Sequence, residues 1–208
     1  MRVVPKGAHI EAELAPDIVL VNVVGQLPTA RGGYPLRPIP VELIDLLASH
    51  HSGALGKPGF IGMLRSAQYS TSWKLRRGKR MRPWPGFAYT FWTPFHDVRL
   101  GQLGDGPRVM YRGNEDERRT YHTGGVANDR GVANCFQGNL SKTPMSRHQI
   151  ECAEAFYPWA MKRYPQLTPE RLVGHSESKP FGGTGKKACP GPHVLEWVRD
   201  FREGWEAA

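Results

Sequence analysis

Short apolar runs separated by turn residues are the main pattern along this chain. Residues 17–26 (DIVLVNVVGQ) are β-branched and apolar, which is typical of a buried strand. The pattern predicts further strands at about 42–49, at 86–95, 108–113 and 131–138, and within ERLVGHSES at 170–178. Residues 28–40 (PTARGGYPLRPIP) predict an irregular arm.

Three segments show helical signals. Residues 59–77 predict a helix that becomes basic toward its C-terminal end, where cations suit the helix dipole. Ser146 and Gln149 form a capping box that opens a second helix, which Pro158 is expected to kink. One face of that helix is apolar: Ile150, Ala153, Tyr157, Ala160 and Tyr164. Residues 191–204 predict a closing helix with Val194, Val198, Phe201 and Trp205 on one stripe.

Strands with helices between and after them indicate an α/β fold, with a central mixed β-sheet flanked by helices. The 208 residues, 39% hydrophobic and 23% charged, suit one globular domain. We divide the chain into an N-terminal arm or extension, 1–37, and a folded domain, 38–208. No apolar run reaches the roughly 18 residues of a membrane span, and the N-terminus lacks the apolar region of a secretory signal. We therefore expect synthesis in the cytoplasm, no membrane span and a monomer.

The charge balance points to an anionic partner. The formal net charge is +9, and six of the nine residues in KLRRGKRMR (74–82) are cationic, with Trp73 and Trp84 on either side. A basic surface is attracted to nucleic acid, anionic lipid or anionic envelope polymers. The same run is also compatible with a solvated basic loop or helix end, and charge alone does not select among these.

His50 and His175 each stand at the C-terminal end of a predicted strand, where sheets commonly present functional side chains. Cys189 follows His175 across a glycine-rich loop. Two imidazoles and one thiolate are good zinc ligands, and three protein ligands with one open position describe a catalytic zinc. Scattered histidines and cysteines that merely pack in the core are the other interpretation. With three cysteines and no export signal, we expect reduced thiols.

Four motifs, HHSG, WPGFAYTFW, YHTGGVANDRGVANCFQG and GHSES…KKACPGP, occur in that order. Together they resemble the zinc-dependent N-acetylmuramoyl-L-alanine amidases, the type 2 amidase and peptidoglycan recognition protein superfamily that includes phage endolysins. The resemblance covers roughly residues 38–205, and Lys-Ala-Cys-Pro is its most specific part.

The resemblance implies one zinc per chain, held by His50, His175 and Cys189. It implies two catalytic residues, Tyr89 and Lys187, which would orient water and stabilise the oxyanion. Three further residues would contact substrate: His51, His122 and Asn128. The implied activity is hydrolysis of the amide between N-acetylmuramic acid and L-alanine of peptidoglycan, by an enzyme that acts on the cell wall after release, as a phage endolysin does.

The sequence also departs from the family pattern. Thr90 stands where the family has a histidine, and Cys135 stands where cytosolic recycling amidases carry a glutamate. The missing glutamate disfavours a recycling amidase, and the retained Cys189 disfavours a non-catalytic peptidoglycan-binding protein. A cysteine hydrolase with Cys189 as nucleophile and His175 as base is a further alternative, disfavoured by the proline that follows Cys189. We expect peptidoglycan, and with it anionic wall polymers, as partners, and no nucleic acid.

Overall fold

The computed structural model describes residues 5–30, 32, 37–76, 79–101, 105–115, 118–185 and 188–206. In these residues, the strands are β1 (His9–Ala15), β2 (Ile18–Asn22), β3 (Leu46–His51), β4 (Lys74–Arg76), β5 (Lys79–Met81), β6 (Phe91–Thr93), β7 (Arg108–Arg112), β8 (Gly131–Phe136) and β9 (Leu172–Gly174). The α-helices of the same residues are α1 (Gly59–Thr71), α2 (Arg147–Arg163) and α3 (Pro192–Glu206).

Seven of these strands form one mixed sheet in the order β1-β2-β7-β6-β8-β3-β9. Strands β6, β8, β3 and β9 are parallel to one another, whereas β7 and β2 run the opposite way and β1 is antiparallel to β2. The carboxyl ends of four strands therefore meet at one edge of the sheet. In sheets of this kind functional groups collect at that edge.

Helices cover both faces of the sheet. One core contains Phe91, Phe136 and Phe156 and packs α2 and α3 against the sheet. The other contains Met63 of α1 together with Trp92, Tyr111 and Cys135. The mixed sheet flanked by helices confirms the predicted fold class.

The strand that carries the histidine pair differs from its prediction. Pro40 precedes a 3₁₀ turn at Val41–Leu43, so β3 starts at Leu46 rather than at about 42, and it extends through His51. Its pairing with β8 runs from Leu46–Gly131 to His51–Phe136. Because the strand extends through His51, His50 is a paired residue within the strand rather than a residue beyond its end.

The predicted helix over residues 59–77 is too long. Helix α1 ends at Thr71, and the basic segment forms the hairpin of β4 and β5 instead. Thr71 and Ser72 donate side-chain hydrogen bonds to the carbonyls of Ala67 and Gln68. Such bonds compete with the continuing helix ladder and favour its end. The basic cluster is therefore attached beyond α1 and is not its last turn.

The predicted strand over 86–95 is also too long, since only Phe91–Thr93 pair as β6. Upstream of β6, Asn114 donates to the carbonyls of Phe87 and Tyr89, both at 2.7 Å. A side chain thus satisfies backbone groups that would otherwise need a neighbouring strand.

The helical predictions at 146–164 and 191–204 are confirmed. Ser146 caps α2, and its capping box with Gln149 is present; the helix continues through Pro158. In α3, Val194 and Val198 are fully buried, whereas Trp205 at the end of the stripe is 44% exposed. The arm predicted at 28–40 contains no α-helix or strand among its described residues, while β1 and β2 of segment 1–37 extend the sheet at one side.

Candidate metal centre

His50, His175 and Cys189 lie together at the carboxyl edge of the sheet. Each offers one ligand atom, and the three atoms lie within 4.8 Å of one another. The Sγ atom of Cys189 is 3.4 Å from Nδ1 of His50, and the two imidazole centroids are 4.6 Å apart. Both histidines are buried and Cys189 is half-buried. The fold brings together the three residues that the sequence predicted as candidate zinc ligands.

The two histidines are held by neighbouring strands. His50 lies in β3, and His175 directly follows β9, which pairs in parallel with β3. A 3₁₀ turn, His175–Glu177, begins at the second histidine. The carboxylate of Glu177 accepts a hydrogen bond from the backbone N–H of Gly174 at 3.0 Å, which fixes the start of this turn.

The third residue comes from a loop that is tied back to the second. The backbone N–H of Ser176 donates to the carbonyl of Cys189 at 2.9 Å. Ser141 donates from its hydroxyl to the carbonyl of Ala188 at 3.1 Å. The position of the thiol therefore depends on backbone contacts to two other parts of the edge.

These three residues fit a zinc ion. With zinc–sulfur bonds of about 2.3 Å and zinc–nitrogen bonds of about 2.0–2.1 Å, tetrahedral ligand atoms stand about 3.5 Å apart. The 3.4 Å between Cys189 and His50 meets that requirement. Soft thiolate and imidazole donors select zinc over magnesium or calcium, which prefer oxygen. Three protein donors leave a fourth position for substrate or solvent, as in catalytic sites.

Thr184 orients His175, a role that sequence reasoning missed. Its Oγ1 lies 3.3 Å from Nε2 of His175 and donates to the carbonyl of Thr123 at 2.7 Å. Because that hydroxyl proton is used on Thr123, the oxygen can accept from Nε2–H. In this tautomer Nδ1 of His175 carries the lone pair that would bind a metal, since ligand histidines usually donate their other ring N–H. The position of Thr184 in a glycine-rich loop carries no sequence signal for this contact.

Tyr89 lies beside the three residues, with its ring centroid 5.1 Å from that of His50. Burial raises the pKa of the Tyr89 hydroxyl well above its ordinary value, and the neighbouring thiols of Cys135 and Cys189 raise it further. A hydrogen bond joins Tyr89 to Cys135, the β8 residue that pairs with His50 in the sheet register. Tyr89 therefore keeps its proton at neutral pH. Cys135 is fully buried and contacts the site through this bond.

His122 approaches His50 edge-on, with ring centroids 5.5 Å apart. Its Nε2 lies 3.3 Å from the carbonyl of Gly131, whereas its buried Nδ1 has no hydrogen-bond partner among the described residues. Burial lowers the pKa of His122 to about 3, with His175 contributing in the same direction. The ring is thus neutral, with a proton on Nε2 and an acceptor lone pair on Nδ1.

Asn128 holds the loop that carries His122. Its Oδ1 accepts from the backbone N–H groups of His122, Thr123 and Gly124, at 3.1, 2.9 and 3.1 Å, and from the Thr123 hydroxyl at 3.1 Å. The side chain is buried. In this structure the oxygen of Asn128 therefore shapes the loop, and its predicted contact with substrate stays a prediction.

The two remaining predicted site residues, His51 and Lys187, are not placed by the structure beside the cluster. His51, next to His50 in β3, points to the opposite face, because side chains alternate along a strand. Its Nδ1 accepts from the backbone N–H of Leu140 at 3.1 Å, and burial lowers its pKa. Lys187, the predicted catalytic lysine, lies outside the described residues.

Comparisons with known proteins identify the family and the fold. The profile of the N-acetylmuramoyl-L-alanine amidase family matches residues 44–192, more than half of the chain and all three members of the cluster. A search of curated protein sequences finds no significant match. Three solved structures show how widely the fold is shared.

The endolysin N-acetylmuramoyl-L-alanine amidase LysCS from Clostridium intestinale is 20% identical, with a TM-score of 0.58 over 90% of this chain and 96% of that chain. Drosophila peptidoglycan recognition protein SD is 14% identical, with a TM-score of 0.61 over 84% and 88%. The endolysin of Thermus scotoductus bacteriophage Ph2119 is 15% identical, with a TM-score of 0.57 over 87% and 97%. At these identities the likeness concerns the fold.

The fold and the His-His-Cys cluster define a single-domain protein of the amidase and peptidoglycan recognition type. The chain belongs to the N-acetylmuramoyl-L-alanine amidase family. That membership makes peptidoglycan the substrate class, and no helix among the described residues is long and apolar enough to cross a bilayer.

Proposed function

We propose that this protein is a zinc-dependent peptidoglycan hydrolase that cleaves the amide between N-acetylmuramic acid and the L-alanine of the stem peptide. The observation that carries the proposal is the convergence of His50, His175 and Cys189 within 4.8 Å in a chain of the amidase family. Zinc, when bound by these three residues, supplies Lewis-acid polarisation of an amide carbonyl and a water of lowered pKa.

The chain's own residues complete the site in this proposal. Tyr89 keeps its proton at neutral pH, so its hydroxyl can turn from the Cys135 thiol and donate a hydrogen bond to the carbonyl oxygen of the scissile amide. His122 is neutral and packs edge-on against His50, so in this proposal it supports the position of that imidazole beside the substrate. Lys187, two residues before Cys189, is the proposed cation for the developing oxyanion.

The proposal extends to a lytic role on the cell wall, as an endolysin acting after its release from the cytoplasm. The net charge of +9 favours attraction to anionic envelope polymers. Two of the solved structures with a similar fold are endolysins, which supports this role by analogy.

The test is digestion of purified cell walls with the zinc-loaded protein. We expect release of new N-terminal L-alanine without new reducing sugar ends, together with about one zinc bound per chain. New reducing ends without free L-alanine would identify a glycosidase instead. Binding to walls without any product would support the non-catalytic alternative.

A further inference from the structure

The positive charge of this protein is concentrated in one part of the chain. No aspartate or glutamate lies between Asp45 and Asp97, a stretch that contains eight lysines and arginines. The other 20 of the 28 lysines and arginines are balanced by the 19 acidic residues. Nearly all of the net charge of +9 therefore belongs to the segment that includes α1 and the hairpin of β4 and β5.

The hairpin is separate from the central sheet. Strands β4 and β5 pair with each other in a two-stranded sheet of their own. The backbone N–H of Trp84, just after the hairpin, donates to the carbonyl of Ser70 in α1 at 3.0 Å. Nε of Arg82 donates to the carbonyl of Gly32 at 3.2 Å. The hairpin is therefore attached to the domain at its base without being part of the central sheet.

Two large apolar side chains are exposed at the base of the hairpin. Trp73, directly before β4, is 47% exposed, and Met81, the last residue of β5, is 41% exposed. Met81 pairs with Lys74, the residue that follows Trp73, so the two apolar residues are close along the hairpin. Arg82 is exposed beside them. Apolar side chains next to cations, with tryptophan among them, are typical of protein surfaces that bind in the headgroup region of a membrane.

An acidic lipid surface fits this combination better than other polyanions do. Its headgroups attract lysine and arginine, and the boundary with the acyl chains takes up apolar side chains that water solvates poorly. A soluble phosphate polymer supplies the charge but no apolar layer. Nucleic acid supplies bases on which an aromatic ring can stack, but no comparable partner for the side chain of Met81.

We propose that the hairpin of β4 and β5, with Trp73 and Met81 at its base, docks this protein on bilayers that contain acidic phospholipids. The docking is peripheral: the two apolar side chains enter the headgroup layer, and the cations of residues 74–82 face the phosphate groups. This inference goes beyond the proposed hydrolysis of peptidoglycan, because it concerns the surface on which the protein is held and does not require activity.

The experiment is sedimentation of the full-length, zinc-loaded protein with vesicles of phosphatidylcholine, alone or mixed with phosphatidylglycerol. One variant removes charge from the hairpin and one removes apolar surface: Lys79→Gln/Arg80→Gln and Trp73→Ser/Met81→Ser. Two matched controls make the same kinds of change at exposed positions elsewhere: Lys142→Gln/Lys162→Gln and Ile10→Ser/Leu43→Ser.

We expect wild type and both controls to bind the mixed vesicles at least about 10-fold more tightly than pure phosphatidylcholine. The charge variant should lose about 20- to 30-fold on mixed vesicles, since each cation near an acidic bilayer contributes about fivefold, and this loss should shrink as salt rises. The apolar variant should lose about 10-fold or more at both low and high salt. On soluble polyphosphate only the charge variant should lose affinity.

Two results of the sedimentation would overturn the proposal. One is equal binding of wild type to both kinds of vesicle. The other is an apolar variant that binds mixed vesicles like wild type, because charge alone would then explain the attraction. Both results are independent of hydrolysis, which the release of L-alanine from cell walls tests separately.

A conservative substitution gives a second readout that does not depend on how well the double variants fold. Bromine-labelled lipids in the mixed vesicles should quench the tryptophan fluorescence of wild type, because Trp73 enters the lipid layer. The quenching should be smaller in Trp73→Phe, which keeps an aromatic ring and removes only this indole. Equal quenching in the two proteins would contradict the placement of Trp73 in the lipid.

Discussion

The hydroxyl of Thr184 lies 3.3 Å from Nε2 of His175 and donates its own proton to the carbonyl of Thr123. The same Thr123 carbonyl also accepts from the backbone N–H of Thr184 at 2.9 Å. The loop after His175 thus folds back so that one side chain orients the imidazole of a member of the His-His-Cys cluster and favours one tautomer of it. Outer hydrogen-bond partners of this kind orient ligand histidines and are typically needed for full metal affinity.

Replacing Thr184 with valine should weaken zinc binding while the fold is retained. Loss of such an outer hydrogen bond typically lowers metal affinity by about 10- to 100-fold. The Thr123 carbonyl keeps its backbone donor, so no buried acceptor is orphaned. Competition with a fluorescent chelator measures the affinity. Thr184→Ser, which keeps the hydroxyl, should bind zinc like wild type; equal zinc affinity in the valine variant would contradict the role.

Substitutions at Cys189 distinguish a metal ligand from a nucleophile. Cys189→Ala should lose zinc affinity and activity together. Cys189→Asp should keep measurable zinc and some activity, because a carboxylate oxygen binds zinc at about 2.0–2.2 Å against about 2.3 Å for sulfur. The measurement is activity of both variants with and without added zinc, beside wild type treated with a chelator.

A cysteine nucleophile gives the opposite pattern. It would tolerate neither substitution, would be blocked by alkylation and would be indifferent to chelators. Full activity of wild type after complete zinc removal would therefore reject the zinc mechanism.

The His-His-Cys cluster could be predicted from the sequence because strand signals and motifs agree at His50 and His175. An apolar run that ends in a histidine locates both at the edge of the sheet, and Lys-Ala-Cys-Pro identifies Cys189. Thr184, in contrast, acts through a contact with Thr123, 61 residues away. A contact between distant loops leaves no periodic signal in either segment.

The errors in element length have a similar origin. The basic residues after Ser72 suit a helix end by charge, but the hydroxyls of Thr71 and Ser72 bond back to the helix and favour its end earlier. The apolar residues before Phe91 suit a strand by propensity. However, the side chain of Asn114, which lies in another loop, donates hydrogen bonds to the carbonyls of Phe87 and Tyr89. At both places, side-chain hydrogen bonds determine where the element ends, and secondary-structure propensity does not include such bonds.

Basic residues in the hairpin of β4 and β5 allow a test of whether the protein is attracted to anionic polymers of the cell wall. Neutralising Lys79 and Arg80, which lie in β5, should weaken binding to purified walls if anionic polymers are partners. The loss should shrink as salt rises, because exposed charges are screened over about 8–10 Å at moderate ionic strength. A pelleting assay at several salt concentrations measures it, with Lys142→Gln/Lys162→Gln as the charge-matched control. Equal losses in both double variants would show that only net charge matters.

Two glycine-to-alanine substitutions in helices should have opposite effects on stability. At Gly62 in α1, a Cβ would lie 2.2 Å from the Lys57 carbonyl and 2.7 Å from Nε2 of Gln137. Overpacking of this kind typically costs about 1–3 kcal/mol. At Gly204 in α3 nothing lies within 4 Å, so alanine should stabilise by about 0.5–1 kcal/mol through helix propensity. Urea unfolding of both variants measures the two signs, and a neutral Gly62→Ala would show that the loop yields.

Acid should destabilise the protein partly through His148, which is buried near the amino end of α2 and remote in sequence from the metal ligands. Its Nδ1 lies 3.8 Å from the carboxylate of Asp97 and its Nε2 3.6 Å from the thiol of Cys152. Burial lowers the pKa of His148 to about 4, and Arg108 and Arg99 lower it further, while Asp97 and the Val109 carbonyl oppose the shift.

The sign of this effect follows from proton binding. In the unfolded chain His148 is protonated as the pH falls through about 6.5. In the folded protein it is protonated only as the pH falls through about 4. Between those values the unfolded state binds more protons, so the free energy of unfolding falls as pH is lowered, by at most about 1.4 kcal/mol per pH unit from this group. His148→Gln should remove that slope. Urea unfolding of both proteins at intervals from pH 7 to pH 4 should give curves that converge by about 2–3 kcal/mol. The same substitution at exposed His9 is the control, and parallel curves for wild type and His148→Gln would contradict the assignment.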